Sequence, residues 1–267
     1  MVRRRVFLSV MVVGMFSAAA FAIAPMGPPM APLPQGQYAG ALGYAFSDMN
    51  LEISGPLGAS TAGEAMVSDI QTNMYYGGLV YGVADGWNLY GVVGMADAEF
   101  PGDGTSPDFD GDEGFAFAIG CKKTISKDEE SGTVWGTVFQ FSEARRIDDS
   151  FRPVAAGTWG NGLISQGSSG LTEAELELYE IQLAAGPTVP LCEGVCLYGG
   201  PLLHFVEGDL EVKNDGNRYE YDLEQHLEIG AYVGAQAELA DNILLGAEFL
   251  WTGEAWGLGI GATILCP

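Results

Sequence analysis

Basic residues are scarce in this chain: 11 Lys and Arg stand against 35 Asp and Glu, a formal charge of −24 at pH 7. So acidic a surface repels polyanions, which makes nucleic acid a poor partner. Histidine is scarcer still, with only His204 and His226. No G-x-S-x-G elbow accompanies them, and spacing assigns neither a serine partner, so the sequence reads as a non-enzyme. Cysteine is limited to Cys121, Cys192, Cys196 and Cys266, whose spacings do not form a zinc pattern. Beyond the N-terminal leader no apolar run reaches the ~20 residues a spanning helix needs. A membrane-crossing form of this chain must therefore cross as strands.

What the chain has is a rhythm. From Tyr38 onward, ten stretches of alternating apolar and small or polar residues are joined by connections that are alternately short and long. The short ones are Ala84-Asp85-Gly86, Lys127-Asp128-Glu129-Glu130, Leu191 to Cys196, and Asp241-Asn242. The long ones are acidic or rich in Gly and Ser. Strands of roughly ten residues, with short turns on one rim and long loops on the other, are what an outer-membrane barrel requires. The count is even, and closure removes the open edge that lipid would leave unpaired. The expected fold is all-β: a closed antiparallel transmembrane barrel of about ten strands, with short periplasmic turns and long acidic extracellular loops.

Three segments are expected. Residues 1–22 carry Arg3, Arg4 and Arg5, an apolar run and a small-residue end, Ala20-Phe21-Ala22, which reads as a cleaved secretory signal. Residues 23–37 are Pro-rich and read as an extended periplasmic linker. Residues 38–267 form the barrel. Loss of the leader removes three basic residues and makes the chain more acidic still.

The last stretches set which face meets lipid. Trp256, Leu258, Ile260, Ala262 and Ile264 share one face, with Gly257, Gly259, Gly261 and Thr263 on the other. A slip of one residue would put carboxylates in hydrocarbon. Trp87, Trp135 and Tyr38 mark the expected periplasmic girdle, and Phe46, Phe141, Tyr179, Phe205, Trp251 and Trp256 the outer one. Small inward residues on one side of the wall face large ones on the other, so the lumen is expected to be narrow.

The residues expected to line that lumen are Glu180, Gln182, His204, His226, Glu228, Gln236, Glu238 and Glu248, with Lys122 and Arg146 as their basic partners. Carboxylates in excess of cations predict that a narrow passage would prefer cations; a purely structural polar network is the alternative. Asp108, Asp110 and Asp112 alternate like the acids of a calcium loop, though Glu113 and Ile119 stand where an EF-hand has its glycine and closing glutamate. Calcium at these loops is the sole cofactor expectation. Cys192 and Cys196 flank a tight turn in an exported chain and are expected to pair as a disulfide; Cys121 and Cys266 are not.

The hairpin Tyr75-Tyr76-Gly77-Gly78-Leu79-Val80-Tyr81-Gly82-Val83, continued by Ala84-Asp85-Gly86-Trp87-Asn88-Leu89-Tyr90-Gly91, resembles those of small Gram-negative outer-membrane β-barrel proteins. The closing strand Gly257 to Leu265 resembles theirs too. It departs from their pattern at the end, Leu265-Cys266-Pro267, where an aromatic residue is usual. The resemblance is one of architecture and implies an outer-membrane location and contact with outer-membrane lipid; the acidic loops and inward carboxylates add inorganic cations as partners, and the expected role is structural or surface-interacting, with a narrow cation-preferring pore as a secondary one and no protein partner named. The rival expectation is a soluble secreted β-barrel that binds a small ligand inside.

Overall fold

The computed structural model describes residues 25–55, 65–101, 108–151, 158–159, 164–165, 172–214 and 217–266. The expected signal at residues 1–22 lies outside them, as does Pro267. Ten long strands form the wall: β1 (Tyr38–Ser54), β2 (Ala65–Ala84), β3 (Trp87–Phe100), β4 (Phe109–Lys127), β5 (Val134–Phe151), β8 (Thr172–Cys192), β9 (Val195–Asn214), β10 (Asn217–Ala240), β11 (Ile243–Trp251) and β12 (Ala255–Cys266). The two-residue strands β6 (Thr158–Trp159) and β7 (Ile164–Ser165) pair with each other in the loop after β5. Each wall strand pairs antiparallel with its neighbours, and β12 returns to β1 to close the barrel. The expected strand count and closure hold.

The wall is taller than a bilayer requires. Most strands run well past ten residues, up to 24 in β10. Only β11 and β12 are short, at 9 and 12 residues. Above their hairpin β10 pairs directly with β1, through Glu52–Glu224, Ile53–Leu223 and Ser54–Asp222. The barrel thus has ten strands at its lower level and narrows above it, where β11 and β12 drop out, into a head.

The apolar belt lies where the sequence places it. Leu42, Leu79, Val93, Ile119, Val233, Leu245 and Ile260 are exposed on the outer wall, Leu79 at 67%. In a water-soluble barrel these residues would face inward, so the small-ligand secreted fold is not what the chain adopts. On β12 the belt runs from Trp256 to Ile264, nine residues, as a tilted membrane strand demands. Trp251 stands opposite Trp256 at its upper edge, with Phe46 packed 4.7 Å from the Trp256 ring. Tyr38, Trp87 and Trp135 are exposed at the lower edge. Tight turns on that rim use left-handed glycines, Gly86 (φ 75°) and Gly194 (φ 77°), which let two strands reverse within a few residues.

Candidate functional site in the lumen

The lumen has three layers. The uppermost, inside the head, is apolar: Met49, Leu51, Ile53, Ile70, Phe109, Ile147, Leu176, Leu210 and Val212 are all buried in one cluster. These residues alternate with acids that point outward, so each head strand is greasy inside and charged outside. Phe100 and Phe109 stack there at 4.6 Å.

The middle layer is polar. His204 Nε2 lies 2.5 Å from Glu180 Oε1, and both side chains are almost fully buried. Ser142 donates to Glu180 Oε2 at 2.9 Å and Gln182 donates to Oε1 at 2.6 Å. Gln140 donates to Gln182, and Tyr90 in turn donates to Gln140 at 2.9 Å. His204 Nδ1 has no hydrogen-bond partner among the described residues. Glu180, Gln182, His204 and Glu248 are all buried inside the wall. Glu180 is paired with His204 of the adjacent β9, not with the expected Lys122 or Arg146.

The lowest layer is the chain's own N-terminal segment. Residues 25–34 do not form a spacer outside the barrel; they fold up into it. Both oxygens of Glu248 accept backbone N–H groups, from Met26 and Gly27, each at 2.9 Å. Thr124 accepts from Ala31 at 3.1 Å. Asn88 clamps Leu33 from both sides: Oδ1 accepts its N–H at 3.0 Å and Nδ2 donates to its carbonyl at 2.9 Å. The wall is shaped to receive the segment. A Cβ on Gly82, Gly136 or Gly259 would overlap Pro34, Pro29 or Pro25 respectively. The physical reason is the burial of polar groups: without the segment, Glu248 and Asn88 would lose these partners. A cavity of about 130 Å³ remains beside it, bordered by Met26, Tyr76, Tyr90, Lys122 and Glu248.

Several sequence expectations for the lumen fail for identifiable reasons. The β9–β10 register shifts between Gln225 and Glu228, which turns His226 out to solvent; its ring nitrogen sits 3.5 Å from Glu224. The β5–β8 register likewise shifts between Ala144 and Ile147, and Arg146, with φ 56°, is exposed rather than internal. Glu238 is exposed at the lower rim beside the Gly194 turn. Glu228 accepts from the amides of Gly253 and Glu254 and so fastens the β11–β12 hairpin. Gln236 is half-buried and borders the cavity. Lys122 borders it too and lies 5.5 Å over the Tyr90 ring.

The anticipated calcium segment is not a loop. Asp110 and Asp112 stand two residues apart on β4 and project outward, while Asp108 immediately precedes the strand. Among the described residues no cluster of acids, His or Cys could hold a metal ion. The expected disulfide is also absent, since all four cysteines are free. Register explains it: Cys196 faces Pro190 while Cys192 faces Val195, so the two thiols start from opposite faces of the ribbon.

Sequence reading missed Asn88, Tyr90, Thr124, Gln140 and Ser142. Parity carried the signal for most of them: Gln140 and Ser142 alternate with the outward Phe139 and Phe141, and Asn88 follows the outward Trp87.

On the head's outer face carboxylates stand opposite carboxylates: Glu175–Glu211–Glu220 and Glu177–Asp209–Asp222 across β8, β9 and β10. Desolvation, then Asp222, Glu177 and Glu220, raise the Asp209 pKa. Desolvation, then Asp110 and Asp97, raise that of Glu99.

No protein-family model and no curated protein matches the chain. Among solved structures, it is similar to the outer membrane protease OmpT from Escherichia coli, at 9% identity and a TM-score of 0.50, over 89% of this chain and 98% of that one. It also resembles the translocator domain of the autotransporter NalP from Neisseria meningitidis (11% identity, 87% and 90% covered, TM-score 0.46). A third is the outer membrane protein OprG from Pseudomonas aeruginosa (11% identity, 87% and 97% covered, TM-score 0.44). The chain has the fold of the Gram-negative outer-membrane β-barrels: a closed ring of ten antiparallel strands with its apolar belt outside. A closed wall with an apolar belt on its outside is what a barrel in lipid requires.

Proposed function

We propose that this protein is a sealed outer-membrane barrel whose work is done by its acidic head at the cell surface, as a structural or interaction element, and that it is neither a pore nor an enzyme. The observation that carries this reading is the apolar packing inside the head. Met49, Ile70, Phe109, Ile147 and Leu176 fill the path that a solute would take to the exterior, and desolvating an ion through such a layer is prohibitively costly. A narrow cation-preferring passage, which the inward carboxylates suggest on their own, fits this packing poorly. The buried Glu180–His204 pair lies beneath the same layer, out of reach of an external substrate.

The head's outward acids suit contact with inorganic cations or a cationic surface, screened at high salt. Reconstitution into planar bilayers tests the reading. The purified barrel is expected to add no unitary current steps, at either polarity and in both KCl and CaCl₂. Steps with cation selectivity, weakened by Glu180→Gln or Glu248→Gln, would establish a pore instead.

A further inference from the structure

Residues 25–36 are held in the barrel by contacts that any extended chain could make. The wall's side chains bind the backbone of the segment: Glu248 takes two successive N–H groups, Thr124 a third, and Asn88 both the N–H and the carbonyl of Leu33. Selectivity comes from shape. Glycines at 82, 136 and 259 leave room for Pro34, Pro29 and Pro25, while Met26 and Leu33 insert side chains that are buried almost completely. No residue of the segment belongs to a wall strand, and the ladder closes between Tyr38 and Cys266 without it. Gly36, with φ 83°, forms the joint between segment and β1.

We infer that the lower lumen is a peptide-binding groove open to the periplasmic rim, that residues 25–36 are its resident ligand in cis, and that the segment can leave as a unit so that an extended proline-rich peptide supplied in trans takes its place. The inference rests on the sealed-barrel reading, because the layer above stays closed when the groove empties. Departure of the segment uncovers Glu248, Asn88 and Thr124 to water, which solvates them, so the exchange leaves no buried group unpaired. The small cavity beside Lys122 shows that the fit is not complete and gives an entering chain space to start.

The experiment uses a variant lacking residues 25–36, checked for a folded barrel by heat-dependent gel mobility, and a synthetic peptide of residues 25–36 labelled at its C-terminal end. Saturable binding to the variant is expected, with a scrambled peptide of the same composition failing to bind. In the same background Asn88→Ala should weaken binding about tenfold, the loss expected for two backbone hydrogen bonds. A folded variant that ignores the peptide, or binds the scrambled one equally, overturns the groove. If the deletion does not fold, Leu33→Cys in an otherwise cysteine-free full chain replaces it. Maleimide should then label the native barrel to completion in liposomes; lasting protection of a folded barrel overturns displacement. A failure of either kind leaves the bilayer experiment unaffected, since absence of current depends on the head and not on the groove.

Discussion

Glu52 of β1 stands directly opposite Glu224 of β10 at the point where the wall narrows. Glu224 in turn faces Glu207 of β9. Like charges placed opposite each other are destabilising, so the head's stability should depend on how many of its acids are ionised. For Asp209 and Glu99 the folded pKa lies above the usual value. The folded head then binds more protons than the unfolded chain between the two values, and its stability falls as pH rises through that window. Thermal unfolding in detergent is expected to occur at a higher temperature at pH 5 than at pH 8. Asp209→Asn should shrink that difference, and added salt should narrow it by screening. A midpoint independent of pH would remove the electrostatic account.

The apolar core of the head makes a separate prediction. Phe109 is fully buried and stacked on Phe100, with Ile147 nearby in the same cluster. Phe109→Ala should cost about 3–5 kcal/mol, the range for deleting a buried aromatic. Reversible urea unfolding in detergent micelles measures it. The belt is untouched by this change, so membrane insertion should persist even where the head loosens. A loss below 1 kcal/mol would mean that the core is not packed as described.

Strand count, closure and the lipid face were legible because each rests on period-2 alternation, which runs unbroken through β11 and β12. Parity fails wherever a bulge inserts a residue. His226 and Arg146 both sit at register shifts, and nothing local in the sequence marks these. The head escaped notice for another reason. Its strands alternate as cleanly as those of the belt, but with the greasy side turned inward and acids outside, so their alternation by itself reads as loop flank or strand alike. The folding of the Pro-rich segment into the barrel depends on Glu248, Asn88 and Thr124, which lie 222, 55 and 93 residues away from their partners. A contact at that separation leaves no trace in a local pattern.

The belt predicts a depth-dependent penalty. Ile260 lies midway between Trp256 at the outer edge and Ile264 at the lower end of β12, and faces lipid. Ile260→Arg should therefore cost about 2–4 kcal/mol, whereas Leu239→Arg near the lower rim should cost about 0–1 kcal/mol. Folding yield into vesicles, read by heat-dependent mobility, compares the two. Equal tolerance of both substitutions would contradict a bilayer around this wall.

The last prediction concerns the polar layer. Glu180 is held by His204, Ser142 and Gln182 together, with both carboxylate oxygens engaged. Removing the imidazole by His204→Ala leaves the buried Glu180 short of one hydrogen-bond partner, which typically costs about 1–3 kcal/mol. Glu180→Gln keeps an acceptor and adds a donor at the same place, so it should cost less than the histidine deletion. The double substitution should recover part of the loss, because an amide costs less than a carboxyl to bury without the imidazole. Unfolding free energies of the four proteins give the coupling directly. If His204→Ala and Glu180→Gln prove additive, the two side chains are neighbours without interaction, and the layer is held by its glutamines and serine alone.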